Sequence, residues 1–403
     1  MAISSNTSLK NNQRKVRKLL IILNDRLSTI IEKGELIPRY YNPGNVFDEV
    51  HFFLLNNDRP AKDALQSSVG SAEIFFYNFP AGLLLFIFSA AWAPLFLRIW
   101  SQFAICKARV IQPNLIRCYG NWLNGYLGAQ IKKAMGVPVV ISLHGNPDVD
   151  YYRGRRAKNL FHFIYGWACK RVELISLSYA DFCMPVYSPI IAYLLKYNFS
   201  KYAVIYNVVG LGSRQKTNYH LSGNKINLIC VGRQDELEKD PTAIIKSLVN
   251  LPNVFLTLVG NGSLHDALKK LVKQLDLEER VLFHTAVPNN EILKLMYESD
   301  IYVYSSNNYE ISKSTMEAAL IGLPIVVNDR NGSPASELVG GHFSLVDGSS
   351  EGYALEIEKL IKSEEYRKQL GKKARDYAVN MWDPVRSEER AAEVHKRYLS
   401  NFC

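Results

Sequence analysis

The chain has 403 residues, enough for two or three domains of ordinary size. With 48% hydrophobic and 21% charged residues it can bury a large core, which excludes an intrinsically disordered chain. The net charge of +10 is uneven, because residues 1–212 carry 24 basic and 12 acidic side chains whereas residues 213–403 carry 24 and 26. We therefore expect two domains, the first of which faces an anionic surface.

Cysteine usage and the start of the chain bear on the compartment. None of the six cysteines forms a C-x-x-C pair, so we expect free thiols in a reducing compartment, without a disulfide framework or a zinc site. The basic amino-terminal segment precedes an apolar run of only five residues, 19–23, which is too short for a signal peptide. This run predicts the first strand.

Next comes a run of 24 uncharged residues, 74–97. Its length suits a transmembrane helix, but Pro80 and Pro94 shorten it. A single crossing would also separate predicted strands that have to share one sheet, at 19–23 and 49–54 before the run and at 108–111 and 137–142 after it. Two interpretations stay open: a buried crossover helix, or a helix in a membrane interface with Trp92, Arg98, Trp100 and Lys107 at its rim.

Residues 151–171 (YYRGRRAKNLFHFIYGWACKR) combine Arg and Lys with Tyr, Phe and Trp. Such a stretch fits a solvated helix face or a nucleic-acid contact, but no helix-turn-helix, zinc-finger or RNP pattern accompanies it. Together with the apolar run in the same half, it favours an anionic membrane surface.

Strand-like and helical segments alternate along the chain, which predicts parallel sheets in α/β domains. The first half has a strand at 136–143 and shorter strands or their approaches at 171–178, 184–186 and 203–206. The polar stretch 213–225 is the best linker. The second half alternates strands at 226–231, 254–259, 281–284, 301–305 and 324–328 with helices at 242–249, 264–275, 291–298 and 314–321. Two Rossmann-like domains then face across a cleft, with ligands at the carboxyl ends of the strands.

Charged residues follow two strands of the second half. Arg233 comes directly after a strand and Lys239 stands just before a helix, a pattern of either a diphosphate clamp or ordinary surface charges. Glu310 follows a later strand and Glu317 lies within the next helix. Between them, residues 311–315 would present free backbone N–H groups to an anion. Because ionised carboxylates accept hydrogen bonds from hydroxyls, this arrangement suits a sugar and a ribose on either side of phosphates.

Five motifs in order resemble the retaining glycosyltransferases of family four: GR-x5-K at 233–239 with its preceding glycine, LVGNGS at 258–263, VLFHTAVP at 281–288, SDIYVYSS at 299–306 and the E-x6-E-AALIGLPIVV segment. The first half matches more loosely, through 33–50, VPVVISLHG at 137–145 and VIYNVVG at 204–210. MWDP at 381–384 resembles the family's tail, where a final helix crosses back.

The resemblance implies the GT-B architecture, with an acceptor-side domain at 1–212, a nucleotide-sugar domain at 213–383 and a recrossing helix at 384–403. It implies that Arg233 and Lys239 bind the donor pyrophosphate and that Glu310 and His144 contact the donor sugar. Glu317 would bind the ribose, and Val287 would lie near the base. Gly34 would let the backbone approach the phosphates, because it has no Cβ. The helix start at Ser314 and Thr315 would present backbone N–H groups to them.

Two departures from the family pattern concern the donor. Six residues separate Glu310 from Glu317 where the family usually has seven, and we interpret this as a deletion that keeps Glu310 as the functional carboxylate. Thr285 stands where the pattern expects a glycine.

Asp148-Val149-Asp150 spells the metal-binding D-x-D of the other main glycosyltransferase architecture, but its position favours a loop without metal.

We therefore expect a metal-independent hexosyltransferase without a cofactor, which uses a UDP- or GDP-sugar and a lipid-linked or saccharide acceptor in cell-surface glycan biosynthesis. It would be cytoplasmic, peripheral on the inner face of an anionic membrane, and would not bind nucleic acid. The alternative is a non-catalytic GT-B-like subunit that docks partners or membrane.

Overall fold

The computed structural model describes residues 15–82, 95–148, 160–209, 214–221, 225–235, 239–285, 287–307, 310–330, 332 and 334–400. Two parallel sheets form its centre. The first has the order β3-β2-β1-β4-β5-β6 and the second β9-β8-β7-β10-β11-β12. The strands are β1 Lys18–Leu23, β2 Glu49–Leu54, β3 Glu73–Asn78, β4 Leu115–Tyr119, β5 Val139–Leu143, β6 Phe182–Pro185, β7 Ile226–Val231, β8 Val254–Val259, β9 Val281–His284, β10 Ile301–Tyr304, β11 Ile325–Asn328 and β12 Ser344–Val346.

Both sheets therefore have the doubly wound order 3-2-1-4-5-6, which confirms the predicted pair of Rossmann-like domains. The helices that connect the strands are α1 Leu27–Glu32, α2 Lys62–Val69, α3 Leu95–Ile111, α4 Leu123–Met135, α5 Leu160–Tyr179, α6 Ile190–Lys196, α7 Thr242–Ser247, α8 His265–Gln274, α9 Asn289–Glu298, α10 Lys313–Ile321, α11 Ser350–Lys362, α12 Glu364–Met381 and α13 Pro384–Ser400. Short 3-10 turns lie at Pro43–Asn45, Leu248–Asn250 and Ser336–Leu338.

Three predicted segments of the first half have a different structure. Residues 108–111 end α3 and residues 171–178 lie within α5, so neither is a strand. In α5 the buried positions 168, 169, 172 and 176 follow helical spacing, which the exposed Leu174 conceals in the sequence. Residues 203–206 form no strand, although the adjacent Tyr202 makes one bridge to Cys183.

The uncharged run 74–97 is not one helix. Its first residues belong to the parallel strand β3, where Ile74, Phe75, Phe76 and Tyr77 supply the β-branched and aromatic side chains that strands favour. Its last residues begin α3, and residues 83–94 lie outside the described part of the chain. Of the helices in the described ranges, none is both long and apolar enough to cross a membrane.

The final helix, α13, crosses back to the first domain. Its Ala391, Ala392 and Val394 pack in one cluster with β1 residues, and the Tyr398 hydroxyl donates to the Asp181 carbonyl over 3.0 Å. Arg39 holds the Glu388 carboxylate through Nε and Nη2, at 2.5 and 2.9 Å.

The predicted linker is packed against the second domain where it is described. Tyr219 is buried, and its hydroxyl donates to the Gly322 carbonyl over 2.8 Å. The Lys216 N–H donates to the Ile321 carbonyl over 2.8 Å. The five cysteines in the described ranges are free thiols, and four of them are buried.

Candidate active site

The loop after β7 carries the two predicted diphosphate-binding cations. Arg233 is exposed two residues beyond the strand, and it lines the same small pocket as Lys239. Paired backbone hydrogen bonds of 3.0 and 2.9 Å between Asp235 and Lys239 hold the lysine in place. The loop also approaches Gly260, which has a φ of +135° and where a Cβ would overlap the Gly232 carbonyl. A glycine at 260 is therefore required for the loops after β7 and β8 to lie together.

Glu310 lies next to Lys239. The Lys239 Nζ is 3.6 Å from the Glu310 Oε1, and both side chains are largely buried, with exposures of 17% and 28%. The Arg330 Nη2 donates to the Glu310 backbone carbonyl over 2.7 Å and so fixes the loop at this residue. One acidic and one basic group thus converge where the carboxyl ends of β7 and β10 meet.

The start of α10 is built by hydroxyl groups. The Ser312 Oγ accepts from the Thr315 N–H over 3.1 Å, which is an N-cap. The Ser314 hydroxyl donates to the carbonyl of Val231, the last residue of β7, over 2.8 Å. The hydroxyls of Ser314 and Thr315 both lie against the Tyr302 hydroxyl. These contacts leave Ser314 and Thr315 fewer free groups for a ligand. The Thr315 N–H already donates to Ser312, and both hydroxyls contact the Tyr302 hydroxyl.

Glu317 is a buried carboxyl one turn into α10. Desolvation raises its pKa from the ordinary 4.5 to about 7, against the opposing effects of the Asn289 hydrogen bond and the charge of Lys313. The Asn289 Nδ2 donates to the Glu317 Oε1 over 3.3 Å. A buried carboxyl with one amide partner has acceptor capacity left for hydroxyl groups.

His144 directly follows β5, on the opposite side of the cleft. Burial, reinforced by the charges of Arg117 and Lys313, lowers the pKa of its imidazole to about 3, so the ring is neutral. The ring stacks on Tyr119 with centroids 5.6 Å apart. Its Nε2 is buried and has no hydrogen-bond partner among the residues that the structure describes.

Gly34 and Val287 lie near the same helix, α9. Gly34 has a φ of +64°, and the preceding Lys33 carbonyl accepts from the Asn289 N–H over 3.4 Å. Val287 is partly buried two residues before Asn289. Asn289 therefore connects the Gly34 loop of the first domain with Glu317 of the second.

A pocket of about 490 Å³ opens between the domains. Its lining combines charged groups from both sides with aromatic rings, namely Asp25, Glu35, Tyr40, Tyr119, His144 and Lys313. The Lys313 Nζ lies 3.6 Å from the Glu35 Oε2, so an ion pair bridges the domains at this pocket. Tyrosine faces beside carboxylates suit a hydroxyl-rich ligand.

Three residues of the site had no signal in the sequence: Tyr187, Arg330 and Glu337. Tyr187 lies after β6 and places its hydroxyl 2.6 Å from the Glu310 Oε2. Arg330 and Glu337 follow β11. Standing beyond a parallel strand does not single out a residue. The contacts of Tyr187 and Glu337 also depend on how the two domains meet, whereas the contact of Arg330 lies within the second domain.

The D-x-D segment is described only at Asp148, since residues 149 and 150 lie outside the described ranges. Asp148 pairs with Lys196 over 2.8 Å. Within those ranges no group of three or more His, Cys, Asp or Glu residues is placed to hold a metal ion.

Comparison with known proteins gives a family-model match in the second half of the chain. Residues 213–377 match the family model described as glycosyl transferases group 1. The lipopolysaccharide core biosynthesis glycosyltransferase LpsE of Rhizobium meliloti is 27% identical over 159 residues, which is 39% of this chain and 45% of LpsE. Spore coat protein SA of Bacillus subtilis is 30% identical over 190 residues, 44% of this chain and 50% of that protein. The alignments thus span about half the length of these curated relatives.

Solved structures match over almost the whole chain. The structure of Anabaena HepE in complex with UDP-glucose has a TM-score of 0.69 and 18% identity, covering 94% of this chain and 99% of HepE. At this identity the match shows the fold, which is GT-B. The match of residues 213–377 to the group 1 glycosyl transferase model falls on the same half of the chain as the motifs that resemble these enzymes.

Proposed function

We propose that this protein is a retaining hexosyltransferase that uses a nucleotide sugar and requires no metal. The observation that carries the proposal is the contact between Lys239 and Glu310, whose charged atoms are 3.6 Å apart. Lys239 shares its loop and a small pocket with Arg233. A nucleotide sugar joins a diphosphate directly to a sugar. In the proposed site Lys239 would bind the diphosphate, and the adjacent Glu310 would accept hydrogen bonds from the sugar hydroxyls.

In the proposed reaction the bond between the anomeric carbon and the diphosphate oxygen breaks, and a bond from the same carbon to an acceptor hydroxyl oxygen forms on the same face. The departing diphosphate keeps the electron pair and takes the proton of the acceptor hydroxyl. Arg233 and Lys239 stabilise the negative charge that develops on the leaving group. The first turn of α10 adds its dipole and backbone N–H groups.

The remaining predicted residues would hold the donor. Glu310 would accept from sugar hydroxyls and Glu317 from the ribose. The neutral His144 ring offers a hydrogen-bonding nitrogen from the first domain, and Gly34 brings backbone close to the phosphates. Val287 lies at the loop proposed for the base. UDP-glucose is the first probe because HepE, which shares the fold, was solved with it.

The test is release of nucleotide from a panel of UDP- and GDP-sugars, with and without short saccharide acceptors. Release with one donor, abolished in Arg233→Ala, supports the proposal. An absence of release and of binding across the panel favours the alternative, a non-catalytic subunit of GT-B fold. The clamp argues for the enzyme, because a docking subunit has no need to position cations beside Glu310.

We further propose that the first domain lies on the inner face of an anionic membrane that carries the acceptor. Helix α3 exposes Phe96, Ile99, Phe103 and Val110 by 50%, 52%, 70% and 77%, at spacings of three, four and seven residues. Its exposed charges are basic, since residues 95–111 contain neither Asp nor Glu. An apolar stripe with a basic border suits a lipid interface.

Helix α5 carries a similar set of exposed side chains. It exposes Trp167 and Leu174 together with Lys170 and Arg171, and its one acidic residue, Glu173, is buried. Leu97 of α3 and residues 168, 169 and 172 of α5 belong to one small core with Tyr126 of α4, the helix against which both α3 and α5 pack.

Flotation with vesicles of phosphatidylcholine, with or without phosphatidylglycerol, tests this surface. We expect the wild type to float with anionic vesicles and Ile99→Ser/Phe103→Ser to remain in the bottom fraction. Val249→Ser/Leu355→Ser removes two exposed apolar side chains from the second domain and should float like the wild type. Equal recovery of both variants with the vesicles would contradict the assignment.

A further inference from the structure

Tyr187 connects the two residues that are proposed to hold the donor sugar. It follows β6 in the first domain and is only 4% exposed. Its hydroxyl lies 2.6 Å from the Glu310 Oε2 of the second domain and 2.6 Å from the backbone carbonyl of His144. One phenol thus touches the sugar-binding elements on both sides of the cleft.

The hydroxyl has one proton for these two neighbours. A backbone carbonyl and an ionised carboxylate are both acceptors, so the hydroxyl donates to one of them at a time. Burial and the charge of Glu310 raise the pKa of Tyr187, which keeps the phenol protonated. A sugar hydroxyl can both donate and accept, so it can enter between these groups and satisfy the one that Tyr187 leaves.

The adjacent residue makes a second contact across the cleft. The Ser188 N–H donates to the Glu337 Oε1 over 2.6 Å, and Glu337 is only 2% exposed. The Tyr206 hydroxyl approaches the same oxygen at 3.5 Å. Two successive residues of the first domain are therefore bonded to two carboxylates of the second, and the approach of the domains is fixed at this turn.

We propose that Tyr187 is a positioning residue that sets the Glu310 carboxylate against the His144 turn across the cleft. The inference rests on the proposed function of Glu310. The phenol is not itself required for nucleotide binding, because its contacts are with Glu310 and His144 and not with the Arg233–Lys239 clamp. Loss of the hydroxyl should therefore affect the sugar part of the donor and leave the nucleotide part unchanged.

Tyr187→Phe tests the inference with UDP and UDP-glucose as probes. We expect kcat/KM with UDP-glucose to fall by at least about tenfold, as loss of one hydrogen bond to a charged group implies, while the Kd for UDP changes by less than about twofold. Tyr219→Phe is the matched control, since it removes a buried hydroxyl that donates to the Gly322 carbonyl, away from the site. It should change neither value.

A double-mutant cycle shows whether Tyr187 acts through Glu310. Tyr187→Phe should cost little further kcat/KM in a Glu310→Gln background. Additive losses, unchanged kcat/KM in Tyr187→Phe, or loss of UDP binding by that variant would each overturn the inference; the last would assign Tyr187 to the fold instead. Failure of the proposed function looks different, because the wild type itself would then bind none of the UDP- and GDP-nucleotides and their sugars. If the wild type prefers guanosine nucleotides, GDP and GDP-mannose replace this pair.

Discussion

Lys239 and Glu310 form the ion pair at the centre of the proposed donor site. Lys239→Ala removes the buried cation that would neutralise the leaving diphosphate, so we expect nucleotide release to slow by about a hundredfold or more. Lys246→Ala, on the exposed side of α7, is the control and should keep the wild-type rate. A wild-type rate in Lys239→Ala would show that the diphosphate lies elsewhere.

Glu310→Ala should have an effect of similar size, because it removes the carboxylate proposed to hold the sugar hydroxyls. The measurement is again nucleotide release, with UDP affinity as the check that the site is otherwise intact. Normal turnover in this variant would mean that the loop, one residue short of the family pattern, uses another group.

Glu317 gives a prediction about pH and stability. Its pKa of about 7 in the folded protein exceeds the ordinary 4.5, so the folded state binds more protons between these values and the free energy of unfolding falls as pH rises from 4.5 to 7. The total fall in the free energy of unfolding that Glu317 causes is on the order of 3 kcal/mol. Glu317→Gln should remove it, giving a variant that is more stable than the wild type at pH 8, with a gain that shrinks towards pH 5.

Urea unfolding of both proteins at pH 5, 6, 7 and 8 measures this difference. The same substitution should weaken nucleotide binding if Glu317 accepts from the ribose. Parallel stability profiles for wild type and variant would contradict the burial argument, whereas unchanged nucleotide affinity would contradict the ribose assignment alone.

Five of the six strands of the second domain were predictable because each is a short apolar run bounded by polar residues, whereas β12, with three residues, is too short to show such a run. β7, β8 and β9 have the predicted bounds, and β10 and β11 differ by one residue. In the first domain the apolar exposed faces of α3 and α5 hide the helical period, so residues 108–111 and 171–178 resembled strands. The same exposed faces are the ones that we assign to a membrane.

The site was predictable only in part. Arg233, Lys239, Glu310 and Glu317 belong to motifs that are contiguous within one domain. Tyr187 reaches Glu310 from 123 residues away, and no local pattern encodes that contact. Likewise, the sequence predicts backbone N–H groups at Ser314 and Thr315 for an anion, but the hydrogen bond from the Ser314 hydroxyl to the Val231 carbonyl depends on packing that no local pattern encodes.

The last helix, α13, attaches to the loop that carries Gly34 through Glu388. This carboxylate accepts two hydrogen bonds from Arg39 and one from the Gly44 N–H, over 2.9 Å, and Arg39 lowers its pKa. Because Arg39 is nearly half exposed, we expect Glu388→Gln to lower the free energy of unfolding by only about 1 kcal/mol at pH 7.

Because its folded-state pKa is lowered, the Glu388 carboxylate stabilises the fold at pH values above the ordinary pKa of 4.5. This stabilisation is lost as the pH falls through the folded-state pKa. The difference between wild type and Glu388→Gln should therefore disappear at low pH. Glu389→Gln, at the exposed neighbouring position, is the control and should unfold like the wild type throughout. Identical profiles for all three proteins would show that the Arg39 contact adds nothing.

The charge asymmetry of the molecule agrees with the two proposed surfaces. The first domain carries the basic excess together with the exposed stripe of α3, whereas the near-neutral second half carries the donor motifs. An enzyme arranged this way would take a soluble donor on one domain and an acceptor from an anionic surface on the other.

Metal independence is a prediction for the whole active site. In the proposed site, Arg233, Lys239 and the first turn of α10 would supply the positive charge that a divalent cation provides in D-x-D enzymes. We expect full activity in EDTA. Loss of activity that Mn²⁺ restores would instead direct attention to Asp148 and Asp150.

Calorimetric titration of the purified protein with UDP, GDP and their common sugar conjugates tests the central claim most directly. The proposed clamp predicts saturable 1:1 binding of one nucleoside diphosphate and its sugar, lost in Lys239→Ala and retained in Lys246→Ala. Binding of none of these ligands, or equal binding by wild type and Lys239→Ala, would contradict the assignment of this cleft to a nucleotide sugar.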